Sequence, residues 1–158
     1  MRRPGRKRKE WQLPISRGDE FMGTLHLEIV TPEKVVVSQE VNSVVAPGSL
    51  GEFGVLEGHV PFLTGIEPGA LRYTSGTTTE YLSVTNGFAE VSENKVSILV
   101  DAAEKAGEVD LERARKAMER ARERLAKDRA KATDIDFSRA ETALKRAVAR
   151  IRVAEKRN

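Results

Sequence analysis

The chain has 158 residues, 39% of them hydrophobic and 32% charged, enough for one ordinary domain or two small ones with an unusually charged portion. It has no cysteine, which excludes a disulfide framework, thiol catalysis and zinc sites built on cysteine. The net charge of +3 is a mild basic bias, and no apolar run approaches the roughly 20 residues that a membrane helix needs, so membrane association is expected only through a partner.

Residues 1–21 are basic, include RRPGRKRK and show no apolar periodicity. They read as a disordered extension rather than a nucleic-acid or targeting patch, because basic runs alone are common. From Thr24 the pattern changes. Leu25, Leu27 and Ile29 alternate with His26, Glu28 and Val30, the signature of a half-buried strand, and Pro32 ends it. Further β-branched or alternating runs follow at residues 34–38, 40–46, 71–74, 80–84, 88–91 and 95–100. Turn signals separate the later ones: Ser75-Gly76, Asn86-Gly87 and Ser92-Glu93-Asn94. Short strands at this spacing predict an all-β sandwich or flattened barrel.

Residues 48–71, GSLGEFGVLEGHVPFLTGIEPGAL, are rich in glycine but also in apolar side chains, which a disordered linker lacks. They are expected to form a buried, sharply turning segment, a series of corners in the β domain.

After Asp101 the chain turns helical. Leu111, Ala114, Met118, Ala121 and Leu125 make an amphipathic stripe, with Asp110 as the expected N-cap. KATD at residues 131–134 is read as a turn, and a second helix is expected from Asp136, with the stripe Ala140, Leu144, Ala147, Ile151 and Ala154. So short a link predicts an antiparallel hairpin. Its alanine-rich stripes bury little area, and at roughly 25 cal/mol per Å² of apolar surface the pair is marginal by itself. A firm β domain carrying a helix pair with two accessible arrangements is the first functional signal. The domains are therefore a leader at 1–21, a β sandwich at 22–103 and a helical hairpin at 104–158.

No catalytic constellation is present. The two histidines, His26 and His59, lie in a strand and in the corner segment, and there is neither a Walker loop nor a dinucleotide fingerprint. The chain reads as non-enzymatic. The arginines of the helices suit carboxylate or phosphate, because the guanidinium fork bonds both. A nucleic-acid-binding module using the leader and these helices is the alternative. Base stacking needs exposed aromatics, and the helices carry only Phe137.

The order of parts, with GEFGVLEGHVPFLTGIEPGALR, NGFAEV and DIDFSRAETALKRAVARIRVAE, resembles the epsilon subunit of bacterial rotary F-type ATP synthases from Met22 to the end. The resemblance implies a non-catalytic rotor and regulatory subunit at the cytoplasmic face of the inner membrane. Its β domain would bind the gamma subunit of the central stalk and sit on the c-subunit ring, with Glu52 of GEFG and His59 of GHVP among the contact residues. Its helices, when extended, would meet the catalytic beta and alpha subunits and restrain ATP hydrolysis. No cofactor is required. ATP is implied as a regulatory ligand of the folded hairpin through Glu104, Val109, Asp110, Arg113, Ala114, Arg120, Arg146 and Arg150. Val109 stands where the nucleotide-sensing motif carries isoleucine or leucine.

Overall fold

The computed structural model describes residues 23–127 and 134–157, so the basic leader and residues 131–133 of the KATD turn lie outside the described residues. Ten strands come first: β1 (Leu25–Val30), β2 (Val35–Val41), β3 (Ser43–Gly48), β4 (Gly51–Leu56), β5 (Phe62–Ile66), β6 (Gly69–Ser75), β7 (Thr78–Val84), β8 (Gly87–Ser92), β9 (Lys95–Val100) and β10 (Ala103–Lys105). A 3₁₀ turn at Ala106–Glu108 leads to the helices α1 (Leu111–Lys127) and α2 (Asp134–Ala154).

The strands pair in the order β10-β7-β6-β3-β5-β8-β9-β1-β2, with β4 added on β3. The pairings are antiparallel except β1 with β9. β2 runs on into β3 through Asn42 alone, so the far end of the path returns to its middle and the sheet folds into a nearly closed, flattened barrel. Asn42 fixes this corner. Its backbone N–H donates to the Thr74 carbonyl at 2.7 Å, its amide to the Gly23 carbonyl at 3.3 Å, and its Oδ1 accepts from Gly76 N at 2.7 Å. Between the two layers lie Leu25, Leu27, Ile29, Val41, Val44, Leu71, Leu82, Val96 and Ile98, all fully buried. The alternation seen in the sequence is thus the inward face of each strand.

Two turns show why their residues are there. Ser92 pairs with Lys95 across the loop Glu93-Asn94, whose φ values are 48° and 61°. Two positive φ angles in a two-residue loop match the right-handed twist of the flanking strands. At Gly87 a Cβ would stand 1.9 Å from the Leu99 carbonyl oxygen, so only glycine lets β8 approach β9 at that point.

Residues 48–71 correct the sequence reading. They contain two strands, β4 and β5, rather than a series of corners, and much of their apolar surface is outside. Val55, Ile66 and Leu71 are buried, whereas Leu50 is 97% exposed and Val60 and Leu63 are 70% exposed. The cause is strand alternation, with loops between the strands. One side chain in two meets the core, and the loop tips meet none of it.

The hairpin forms as the stripes predict, with Ala114, Ala121, Ala140, Ala147 and Ala154 buried. Asp110 is the cap of α1: its Oδ1 accepts from Arg113 N at 3.0 Å and its carbonyl from Ala114 N at 3.0 Å. α2 begins at Asp134, two residues earlier than expected, which places Asp136 inside its first turn, where an acidic group favours the helix dipole. α2 also has a second apolar side. Val153 and Ala154 join Val109, Ala70, Tyr81, Ala106 and Leu111 in a cluster separate from the barrel core. Through it the hairpin lies against β6 and β7.

Candidate functional site

The outer face of β2, β1, β9, β8 and β5 is ordered in rows by its register. Glu40, His26, Lys95 and Ser92 share one row, and Ser38, Glu28, Ser97, Glu90 and Leu63 the next. The third row is Val35, Val30, Leu99, Phe88 and Gly65. Two rows are mainly polar and the third is entirely apolar, crossing five strands, about 19 Å at ordinary strand spacing. Its large members are open to solvent: Val35 is 56%, Leu99 57% and Phe88 66% exposed. An apolar row of that length, rimmed by charge, marks a docking surface. Sequence reasoning missed it. The strands were legible, but the alignment of one residue from each comes only from the register.

The polar rows hold together internally. Lys95 pairs with Glu28, and its ammonium is the main reason that carboxyl is held below its ordinary range. His26 Nδ1 stands 2.9 Å from Glu40 Oε1, and Nε2 lies 3.3 Å from Ser38 Oγ. This is the order of a serine–histidine–acid triad. It sits exposed on an open strand surface rather than in a cleft, where water weakens each of these contacts.

Glu52 lies on β4 and His59 in the loop between β4 and β5. Glu52 is exposed and 3.5 Å from Arg72, an interaction worth little in water. His59 Nδ1 donates to the Val60 carbonyl at 2.6 Å, and its ring meets that of Phe62 at 6.1 Å between centroids. Phe62 in turn meets Phe53 edge-on at 5.4 Å. A chain of rings therefore joins the strand that carries Glu52 to the loop that carries His59. The exposed Leu50 at the β3–β4 tip adds an apolar point beside Glu52.

Of the residues that the resemblance implies as nucleotide contacts, Glu104, Val109, Asp110 and Arg150 lie where β10, α1 and α2 meet. Glu104 is on β10 and Arg150 on α2. Arg150 donates to Glu104 Oε2 from Nη2 at 3.0 Å and from Nε at 3.3 Å, with both side chains partly buried. Val109 is buried in the junction cluster, and Asp110 caps α1. Ala114 is fully buried at the start of α1, where its small side chain permits close helix packing. Arg113, Arg120 and Arg146 are exposed. Among the described residues they make no ion pair; Glu112 pairs with Lys116 at 3.0 Å, and Glu108 accepts from Lys105 N at 3.0 Å. Two of these guanidinium groups are on α1 and one is on α2, and guanidinium suits phosphate or carboxylate.

Residues 24–106 match the family model described as ATP synthase, Delta/Epsilon chain, beta-sandwich domain, and residues 108–155 match that of the long alpha-helix domain. The chain is 52% identical over 134 residues to the ATP synthase epsilon chain of Syntrophobacter fumaroxidans, covering 84% of this chain and 96% of that one. To the epsilon chain of Nitratidesulfovibrio vulgaris (strain DP4) it is 52% identical over 108 residues, 68% of this chain and 81% of that one. Among solved structures, a chain in the cryo-EM structure of the Euglena gracilis mitochondrial ATP synthase, OSCP/F1/c-ring, is similar with a TM-score of 0.70 and 25% identity, over 90% of this chain and 88% of that one. A chain of the Tetrahymena thermophila mitochondrial ATP synthase central stalk and c-ring shares the fold, with a TM-score of 0.52 and 16% identity.

Proposed function

Because the chain belongs to the delta/epsilon family of ATP synthase subunits, as an epsilon chain of the central stalk, we propose how its surfaces divide the work. The apolar row Val35, Leu99 and Phe88 docks on the gamma subunit, and the segment around Leu50, Glu52 and His59 rests on the c-subunit ring. The subunit then turns with the rotor as protons pass, at the cytoplasmic face of the membrane. Among the described residues no helix is long and apolar enough to cross a bilayer, so attachment runs through these partners.

The observation that carries this reading is the exposed apolar row on an otherwise alternating barrel. Burying Leu99 and Phe88 against a partner supplies roughly 2 kcal/mol each. The test is copurification with gamma: Phe88→Asp with Leu99→Asp abolishes capture while the barrel keeps its fold. Capture of that double variant at wild-type level contradicts the assignment.

The helices regulate. In the arrangement seen here they lie folded on β6 and β7. Extended along gamma, they bring Arg146, Arg150 and Arg152 to acidic surfaces of the catalytic beta and alpha subunits and hold back ATP hydrolysis. ATP favours the folded form by bridging α1 and α2 through Arg113, Arg120 and Arg146, with Glu104 and Asp110 toward the base or ribose and Arg150 released to a phosphate. A ligand shifts the two arrangements only by its differential affinity for them, and the opening of the Glu104–Arg150 pair lowers that difference.

A further inference from the structure

We infer that Arg157 latches the folded hairpin without any nucleotide, by tying the end of the chain to the turn from which α1 departs. The inference rests on the two-arrangement reading above and names the group that decides between them.

α2 ends at Ala154, and the chain bends back through N–H donation from Lys156 to Val153 at 3.0 Å and from Arg157 to Ala154 at 3.2 Å. This bend aims the Arg157 guanidinium at the 3₁₀ turn Ala106–Glu108. Nε donates to the Ala106 carbonyl at 3.1 Å, and Nη2 donates to the Gly107 carbonyl at 3.2 Å and the Val109 carbonyl at 2.7 Å. Three carbonyl oxygens converge there, Ala106 and Gly107 from the turn and Val109 from the residue after it. A planar fork satisfies them together; a single ammonium does not.

The position gives the contact leverage. The turn joins the barrel to α1, and Arg157 lies three residues past the end of α2, so one side chain closes the loop formed by the two helices. Around it Lys156 stands 5.6 Å over the Tyr81 ring, and Val109, Val153 and Ala154 pack together beneath. Farther along α2 the seam thins. Lys145 makes an exposed pair with Glu67 at 3.3 Å, and a groove of about 320 Å³ separates Pro68 and Ala70 from Leu144 and Val148. Arg150–Glu104 and Lys145–Glu67 also hold α2 to the barrel, but only Arg157 reaches the turn that joins the barrel to α1.

The sequence has no cysteine, so nitroxide labels at Thr77→Cys and Glu141→Cys report the distance from the barrel to α2 in the full chain. With no nucleotide present, the otherwise unaltered chain is expected to show one folded distance. Arg157→Ala raises the ratio of extended to folded hairpin about tenfold, and Arg157→Lys falls between them. Removal of Lys156 to Asn158 reproduces the effect if the alanine variant folds poorly. Lys127→Ala, at the far end of α1, leaves the distance unchanged. Unaltered distances in both Arg157→Ala and the truncated chain overturn the latch. The nucleotide reading is judged apart, by millimolar ATP added to the opened variant: return of the folded distance supports ATP bridging, and no return defeats that bridging while the latch stands.

Discussion

Arg150 and Glu104 are joined by two charge-assisted hydrogen bonds to one carboxylate oxygen, at 3.0 and 3.3 Å. The pair links the second helix to the last strand across 46 residues of chain. It is sheltered rather than sealed, the side chains being 21% and 34% exposed, so its worth exceeds that of an open surface pair and falls short of a deeply buried one. Glu104→Ala and Arg150→Ala are each expected to destabilise the docked hairpin by about 1–2 kcal/mol. The double variant should cost less than the sum, since the partner left alone no longer pays for desolvation. Thermal unfolding of the four chains supplies the cycle, and strictly additive losses show that the two groups are not coupled.

The same pair sets the expectation for nucleotide. Calorimetric titration of the full chain with ATP should give saturable binding in roughly the μM to mM range, without release of phosphate. Arg113→Ala and Arg146→Ala remove the heat because they remove unpaired cations from either helix. Equal heat in both variants, or none in the wild-type chain at millimolar ATP, removes the site.

Much of this molecule was legible in the sequence because its strands alternate and its helices carry a clean stripe. Leu25, Leu27 and Ile29 named the inward face of β1, and Asp110 named the cap of α1. In the segment 48–71 apolar content does not translate into burial. Leu50, Val60 and Leu63 are apolar and outside, and only pairing of β4 with β3 and of β5 with β8 decides which side chains turn in. The apolar row of Val35, Leu99 and Phe88 was hidden for a related reason, since its members are far apart in the chain and meet through register alone. Arg157 gave no signal, as a single arginine past the stripe of α2 has no periodicity to reveal its partners. For the nucleotide set, the family motif located residues at the two helices, and the packing adds that Glu104 and Arg150 hold one another.

Glu28 supplies a pH test of the outer sheet face. Hydrogen bonding to Lys95, then that ammonium's charge, lowers the Glu28 pKa from its ordinary 4.5, with a smaller pull from His26. Ser38 and Ser97 flank Glu28 in its row. A carboxyl lowered in the native state stabilises the fold above the unfolded pKa, and the stabilisation is lost as pH falls through the native value. Glu28→Gln should therefore be less stable than wild type at neutral pH, and the gap should close as pH drops below about 4.5. A gap that stays constant from neutral pH into strong acid contradicts the assigned cause. The pair is exposed, so the effect is small and calls for matched melting curves.

Regulation by the hairpin is the central claim, and hydrolysis by the assembled enzyme tests it most directly. Truncation belongs after Glu108 rather than after Asp101, because β10 (Ala103–Lys105) pairs with β7 and completes the barrel. ATP synthase rebuilt with a chain ending at Glu108 should assemble as fully as with the whole chain and hydrolyse ATP several-fold faster. Arg146→Ala, Arg150→Ala and Arg152→Ala combined in the whole chain should give an intermediate rate. Equal hydrolysis by the whole and truncated forms, in complexes that contain equal amounts of the subunit, would contradict the account.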